Sequence, residues 1–234
     1  MDPTLLYGFP LGSSMGLVAA LEWLGQPYRL CGVHMLNDMK TPAYRGLNDR
    51  GETPVLITGD GQVLTETMAI ALWIEHRDRE RRVSFPPGTP QSDRMHQRMG
   101  FLNTGFTGAF APLWAALEAE DAAPEHRESL RTYGRKMVAK RHAQLEAMIG
   151  DTPYLLGNKP TLADAVLIGV ARWADFHKAV EPGAYPKLSA LRRRLEANPA
   201  VRFALAIENG EAATGSGALR GQTALPEILG RYAA

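Results

Sequence analysis

The sequence predicts a mixed α/β domain followed by an all-helical one, and three observations carry that expectation. Within residues 1–82, short apolar runs alternate with amphipathic ones in the order β-α-β-α-β-β-α. A proline-rich stretch, Phe85-Pro86-Pro87-Gly88-Thr89-Pro90, then interrupts the pattern. Beyond it, apolar residues recur every three or four positions, which is the period of helices.

The first domain spans residues 1–82. Thr4-Leu5-Leu6-Tyr7-Gly8 reads as a strand, and residues 14–24 read as a helix with Leu17, Leu21 and Leu24 on one face. Gly25 suits the left-handed conformation that ends a helix, and Pro27 prevents resumption. Tyr28–Val33 is a second strand. Strand, helix and strand with short joints imply a parallel pair with a right-handed crossover. After a polar stretch and a short helix near 42–47, Val55–Thr58 and Gln62–Thr65 flank the hairpin turn Gly59-Asp60-Gly61. A helix from Glu66 closes the domain.

Residues 83–92 form the linker and 93–208 the helical domain. Met95, Met99, Leu102, Phe106, Phe110, Leu113 and Leu117 make one apolar stripe, read as a single long helix. Further helices fit 125–149, 161–178 and 187–197, and Pro199 opens a last one through Ile207. Residues 209–234, rich in Gly, Ala and Ser as far as Thr223, read as a mobile tail with a short apolar end at 225–229.

Lys+Arg at 26 almost cancels Asp+Glu at 25, which argues against nucleic acid or a membrane surface as partner. No apolar stretch reaches the ~20 residues of a membrane span. Met1-Asp2-Pro3-Thr4 lacks the basic start of a secretory signal. Cys31 is the single cysteine, so an internal disulfide, a Cys-x-x-Cys pair and a cysteine zinc site are all excluded. A reducing, cytoplasmic location is the expectation.

Two short stretches break the habits of their elements. Pro54 stands at the mouth of the apolar run Val55-Leu56-Ile57 and removes a donor from the strand. Thr65-Glu66-Thr67 stacks polar groups at a helix start, where free N–H groups and a partial positive charge attract carboxylates. An ordinary trans proline and a simple Thr65 cap account for the same letters.

Four stretches taken together bring in a resemblance: Leu6-Tyr7-Gly8 through Ser13-Ser14; Gly51-Glu52-Thr53-Pro54-Val55-Leu56; Leu64-Thr65-Glu66-Thr67-x-Ala69-Ile70; and Pro160-Thr161-Leu162-Ala163-Asp164. In this order and spacing the sequence resembles the cytosolic glutathione transferases as far as about residue 208. The resemblance implies a thioredoxin-like first domain, glutathione as co-substrate with no metal, a homodimer, and transfer of the tripeptide's sulfur to a small apolar electrophile, as in detoxification. Peroxidase, thiol-exchange, isomerase and dehalogenase chemistry on the same fold are the alternatives, as is a non-catalytic ligand carrier or interaction module.

The resemblance also assigns residues. It implies a cis Thr53-Pro54 bond that turns the Thr53 backbone toward the cysteinyl peptide group of glutathione, with Thr67 and Glu66 holding the γ-glutamyl carboxylate and ammonium. A free thiol of pKa ~8.5 is only a few per cent ionised at pH 7, so a donor must stabilise the thiolate. Ser13 falls where bacterial cysteine-type members place their cysteine and is the first choice. Ser14 is the second, while Tyr7 more naturally packs in the core. Lys40 is expected at the glycyl carboxylate, with His34 and Asn37 as alternatives. Phe106, Phe110 and Trp114 are expected to line the electrophile pocket. Thr161-x-x-Asp164 is a helix cap with a folding role, and Cys31 reads as inert packing.

Overall fold

The computed structural model describes residues 1–233. Strand β1 (Thr4–Phe9) leads into helix α1 (Met15–Leu24), and β2 (Tyr28–His34) returns parallel to β1, with Leu6 opposite Cys31. Gly25 ends α1 at φ 70, and its N–H reaches Leu21 O. A turn of 3-10 helix (Asp38–Lys40) precedes α2 (Pro42–Leu47), whose first turn is capped by the Thr41 hydroxyl. Strand β3 (Val55–Ile57) runs antiparallel to β1, β4 (Val63–Thr65) antiparallel to β3, and α3 (Thr67–Arg77) completes the predicted order.

Apolar residues on the two faces of this sheet build two cores. Leu5, Leu30 and Leu56 face α1 and α3, and that core continues into the helical domain. Leu6, Cys31, Val33 and Val55 face the other way, beneath Tyr44 and Leu47 of α2. At about 25 cal/mol per Å² of apolar surface, side chains sealed to this degree dominate the stability of the domain.

The helical domain comprises α4 (Pro90–Gly100), α5 (Ala111–Glu118), α6 (Pro124–Met148), α7 (Leu162–Ala171), α8 (Trp173–Phe176), α9 (Pro186–Ala197) and α10 (Pro199–Glu208). Helix α4 starts inside the stretch predicted as linker, where the Thr89 hydroxyl accepts from Ser92 N and Pro90 takes the first turn. Helix α7 is fully buried. Thr161 and Asp164 form its reciprocal cap, and Asp164 also accepts the Leu155 N–H at 3.0 Å. Gly16 of α1 and Gly169 of α7 let the two helices meet backbone to backbone: a Cβ on Gly16 would strike Ala165 O, and one on Gly169 would strike Ser13 O.

Three expectations are corrected. The single helix read from Met95 to Leu117 is instead α4, a π-helical stretch (Phe101–Thr107), a 3-10 turn (Gly108–Phe110) and α5. Pro112 accounts for the new start at α5, because its ring removes an amide donor and crowds the Gly108 carbonyl four residues back. Gly105 and Gly108 lower the resistance to rewinding, and Thr107 Oγ1 donates to Leu102 O at 2.9 Å. The helix read over 161–178 divides at Arg172 into α7 and α8.

The segment 209–234, expected as a mobile tail, folds back on the first domain as far as it is described. Strand β5 (Leu219–Gln222) pairs parallel to β2, giving the sheet order β4-β3-β1-β2-β5, and α11 (Leu225–Tyr232) covers the face beside α2. A bare β2 edge would offer unpaired amides. Ile228, Leu225, Leu229 and Tyr232, spaced by three and four, bury against the Cys31 cluster. The segment is also fastened to α1, where the buried Glu22 accepts Ser216 N and Tyr28 OH, each at 2.5 Å.

Candidate active site

The end of β1, the start of β3 and the end of β4 lie together along one edge of the sheet. Gly8, on β1, is glycine because a side chain there would run into Thr53 Oγ1 and Met35 Sδ. That close approach sets the loop after β1 beside the segment before β3. The Thr53–Pro54 bond is cis, and so is Phe9–Pro10, which the sequence did not announce. Among the described residues, neither the N–H nor the C=O of Thr53 has a hydrogen-bond partner; its hydroxyl lies 3.7 Å from Met35 Sδ. Ladder pairing starts only at Val55, opposite Thr65. The strand therefore offers one unpaired peptide edge at its mouth.

Glu66 forms the N-cap of α3 at φ 70, ψ 125, a left-handed backbone unusual for a residue other than glycine. Its side chain makes no cap hydrogen bond, so it is directed away from the helix it precedes. The carboxylate pairs with Arg50 Nη1 at 3.0 Å, and Arg50 Nη2 pairs with Glu52 at 2.8 Å. All three side chains are about half exposed, so each pair contributes little, roughly 0–1 kcal/mol. Thr67 opens the helix with no acidic residue in its first turn, leaving the amide end electropositive. Arg50 carried no signal in the sequence, because its partner is sixteen residues away across a turn.

The candidate hydroxyls separate clearly. Ser14 is fully buried, and its Oγ accepts the Gly8 N–H at 2.9 Å, so it ties the start of α1 to β1 and has no exposed surface to offer a ligand. Its selection as a thiolate donor is corrected on that ground. Ser13 is half-buried, immediately before the N-cap, and no residue among those described accepts from its hydroxyl or N–H. Tyr7 is 6% exposed with its hydroxyl against Gly32, and burial, then Cys31 and Glu208, push its phenol up. Lys40 is exposed at the end of the 3-10 turn and makes no ion pair among the described residues. The His34 ring packs edge-on to Phe9 at 5.3 Å.

The aromatic group divides differently from expectation. Phe106 and Phe110 are sealed in the helical core at 1% and 0% exposure, Phe106 lying 4.6 Å from the His142 ring. Both belong to the apolar stripe whose other members Met95, Met99, Leu102 and Leu113 are buried as well, so they pack the helical core and their placement in the electrophile pocket is corrected. Trp114 is half-buried and meets Trp173 edge-on at 5.2 Å, Phe176 stacked at 5.5 Å and His177 at 4.3 Å. Trp173 Nε1 in turn donates to Leu11 O at 2.8 Å, which brings this aromatic patch against the loop that carries Ser13. Phe176, at 51% exposed, is its open end. The signal was in the sequence: Trp173 and Phe176 follow a helix whose every residue is buried, so the chain surfaces there.

Among the described residues, no helix is long and apolar enough to cross a membrane. Comparison with known proteins agrees with the fold. Residues 14–77 match the glutathione S-transferase N-terminal domain family and 101–199 the C-terminal domain family. Glutathione S-transferase GstA of Escherichia coli O157:H7 is 26% identical over 205 residues, covering 87% of this chain and 98% of its own. Maleylacetoacetate isomerase of Pseudomonas aeruginosa is 28% identical over 200 residues, covering 82% and 90%. The solved glutathione S-transferase from Xylella fastidiosa superposes with a TM-score of 0.78 at 26% identity, covering 90% of this chain and 100% of its own. With both domain families matched in order along one chain, and the sheet and helices arranged as in the solved enzyme, the chain belongs to the glutathione S-transferase family.

Proposed function

We propose that the protein is a glutathione transferase, which binds the tripeptide along the mouth of β3, ionises its sulfur beside Ser13 and passes it to a small apolar electrophile. The observation that carries this reading is the unpaired peptide edge of Thr53 beside cis-Pro54, at the same edge of the sheet as the amino end of α3. An extended peptide adds to such an edge through two main-chain hydrogen bonds, and the cysteinyl residue of glutathione fits it.

The remaining contacts follow from charge. The α3 amides and the Thr67 hydroxyl take the γ-glutamyl carboxylate, and Glu66 takes the ammonium. Arg50 then shares or yields its hold on Glu66. Lys40 is the cation for the glycyl carboxylate. The sulfur comes to the head of α1, where the Ser13 hydroxyl and free amides favour the thiolate over the thiol. The thiolate attacks the electrophilic carbon, a carbon–sulfur bond forms, and the leaving group departs with its electron pair. Trp114, Trp173 and Phe176 supply the apolar wall for that partner. With serine at position 13, a glutathione–protein disulfide has no cysteine to form on. The active form is a cytoplasmic homodimer with neither nucleic acid nor membrane as partner.

The test is retention on immobilised glutathione followed by a chromogenic aryl-halide assay. Retention with turnover is the expected result, and failure of both sinks the reading. A second reading, isomerisation, draws on the Pseudomonas aeruginosa relative named as an isomerase. It differs in returning the tripeptide unchanged: conjugation consumes one glutathione per turnover, and isomerisation consumes none.

A further inference from the structure

Ser13 sits on the connection between β1 and α1, and the middle of that connection takes its hydrogen bonds from the other domain. Leu11 is at φ 61, a left-handed conformation that an apolar branched residue keeps only where its surroundings hold it. Glu208, at the end of α10, accepts the Leu11 N–H on Oε1 at 2.5 Å. Trp173, at the start of α8, donates Nε1–H to Leu11 O at 2.8 Å. Arg172 donates Nη2–H to Gly12 O at 3.1 Å and pairs with Glu208 Oε2 at 2.5 Å.

Both backbone groups of Leu11 are therefore satisfied by side chains more than 160 residues along the chain. The Arg172 and Glu208 side chains are 16% and 4% exposed, so their charge pairing is weakly screened. Gly12 is packed against Gly8 O and Gly169 against Ser13 O, which leaves the loop no room to slide.

We propose that Arg172, Trp173 and Glu208 are positioning residues for thiolate formation: they hold Leu11 and Gly12, and thereby set where the Ser13 hydroxyl and the amides at the head of α1 meet the sulfur. The inference rests on the reading of Ser13 given above. None of the three touches the tripeptide; they act on its sulfur through the loop, and Trp173 alone also faces the electrophile, which the ionisation midpoint does not sense. The domain that recognises the electrophile thus also sets the donor in the domain that binds glutathione.

The experiment uses the full chain and follows thiolate absorbance of the enzyme–glutathione complex against pH, with kcat, KM for glutathione and Tm measured alongside. Trp173→Phe deletes one hydrogen bond to Leu11 and keeps a ring beside Phe110 and Trp114. The double change Arg172→Met/Glu208→Leu removes both charges together, so no unpaired charge is left buried. Glu208→Gln keeps an oxygen for the Leu11 N–H.

In Trp173→Phe and in the double variant, the ionisation midpoint should rise by about 0.5–1 pH unit as donors to the thiolate move off. The kcat at neutral pH should fall about 10-fold from misplacement of the donor, while KM for glutathione changes less than about twofold. Glu208→Gln should lower Tm, because the Arg172 charge loses its partner, while the kept Leu11 hydrogen bond holds the midpoint closer to the parent than in Trp173→Phe. Should the double variant not fold, Trp173→Phe and Glu208→Gln decide the matter. An unmoved midpoint in folded Trp173→Phe, or a loss of kcat matched by an equal rise in KM, overturns the proposal. A parent complex whose thiolate forms at no lower pH than that of free glutathione overturns the reading of Ser13 first, before any of these variants is made.

Discussion

Ser14 Oγ accepts the Gly8 N–H at 2.9 Å, so the residue that starts α1 is stitched to the strand before it while its neighbour Ser13 is left free. Two adjacent serines thereby take different tasks. Ser14→Ala should destabilise the fold by about 1–3 kcal/mol, because a buried amide loses its acceptor. It should leave the pH at which activity appears unchanged. Ser13→Ala should do the reverse, raising that pH with little change in Tm. Chemical denaturation and a pH–rate profile of both variants separate the two, and an exchange of these phenotypes would reverse the assignment.

Arg50 holds Glu66 at 3.0 Å where the ammonium of glutathione is expected. Glu66→Ala should weaken tripeptide affinity by about 10-fold or more, the scale of a lost charge-assisted hydrogen bond. Arg50→Ala should leave Glu66 free for the ligand and change affinity by less than about threefold, since exposed pairs contribute roughly 0–1 kcal/mol. Isothermal titration with glutathione measures both, and unchanged binding in Glu66→Ala removes that residue from the site.

Asp164 is buried beneath Leu155, Thr161 and the start of α7, and burial pushes its carboxyl up to about 6. An unfolded aspartate titrates near ~3.9, so the folded chain keeps this proton to higher pH. The stabilisation from this group is complete below about 4 and is lost as pH rises through about 6. Asp164→Asn does not titrate. The stability of the parent relative to this variant should therefore fall by ~2–3 kcal/mol between pH 4 and pH 7. Denaturant titrations at the two pH values measure the difference, and a constant difference refutes the shift.

Cys31 is fully buried, and burial pushes its thiol up to about 12. It lies in the cluster that Ile228 of α11 helps to cover. Alkylating reagents should spare it in the folded chain. A chain ending at Ala218, without β5 and α11, should react at least about 10-fold faster through exposure of the thiol. Counting modified thiols by mass against time checks this, and equal rates would mean that α11 is not what closes the site.

Local rules made much of this fold legible before any coordinates. Gly25, Pro27 and the Gly59-Asp60-Gly61 turn each specify a backbone break that needs nothing distant, and all three stand where the sequence put them. The short motifs at Thr53-Pro54 and Glu66-Thr67 were legible because each departs from the habit of its own element. Pro112 was overlooked inside an apolar stripe whose period hid it, and the stripe continued on rewound turns. Strand β5 and the contacts of Arg172 and Glu208 with Leu11 and Gly12 depend on pairings across most of the chain, which no window of neighbouring residues contains. Phe106 and Phe110 carried the right chemistry for a pocket wall, but they lie on the apolar stripe, whose residues from Met95 to Leu113 are buried in the helical core.

Strand β5 has a consequence for how the protein is made. The sheet that starts at Thr4 takes its outermost strand from Leu219–Gln222, paired beside Tyr28–His34. Domains emerging from the ribosome generally fold in the order of their synthesis. Here the glutathione-binding half leaves the exit tunnel early with an open edge, and its last strand is translated after the whole helical half. Maturation of the first domain therefore waits until Leu219–Gln222 has been translated and has left the tunnel.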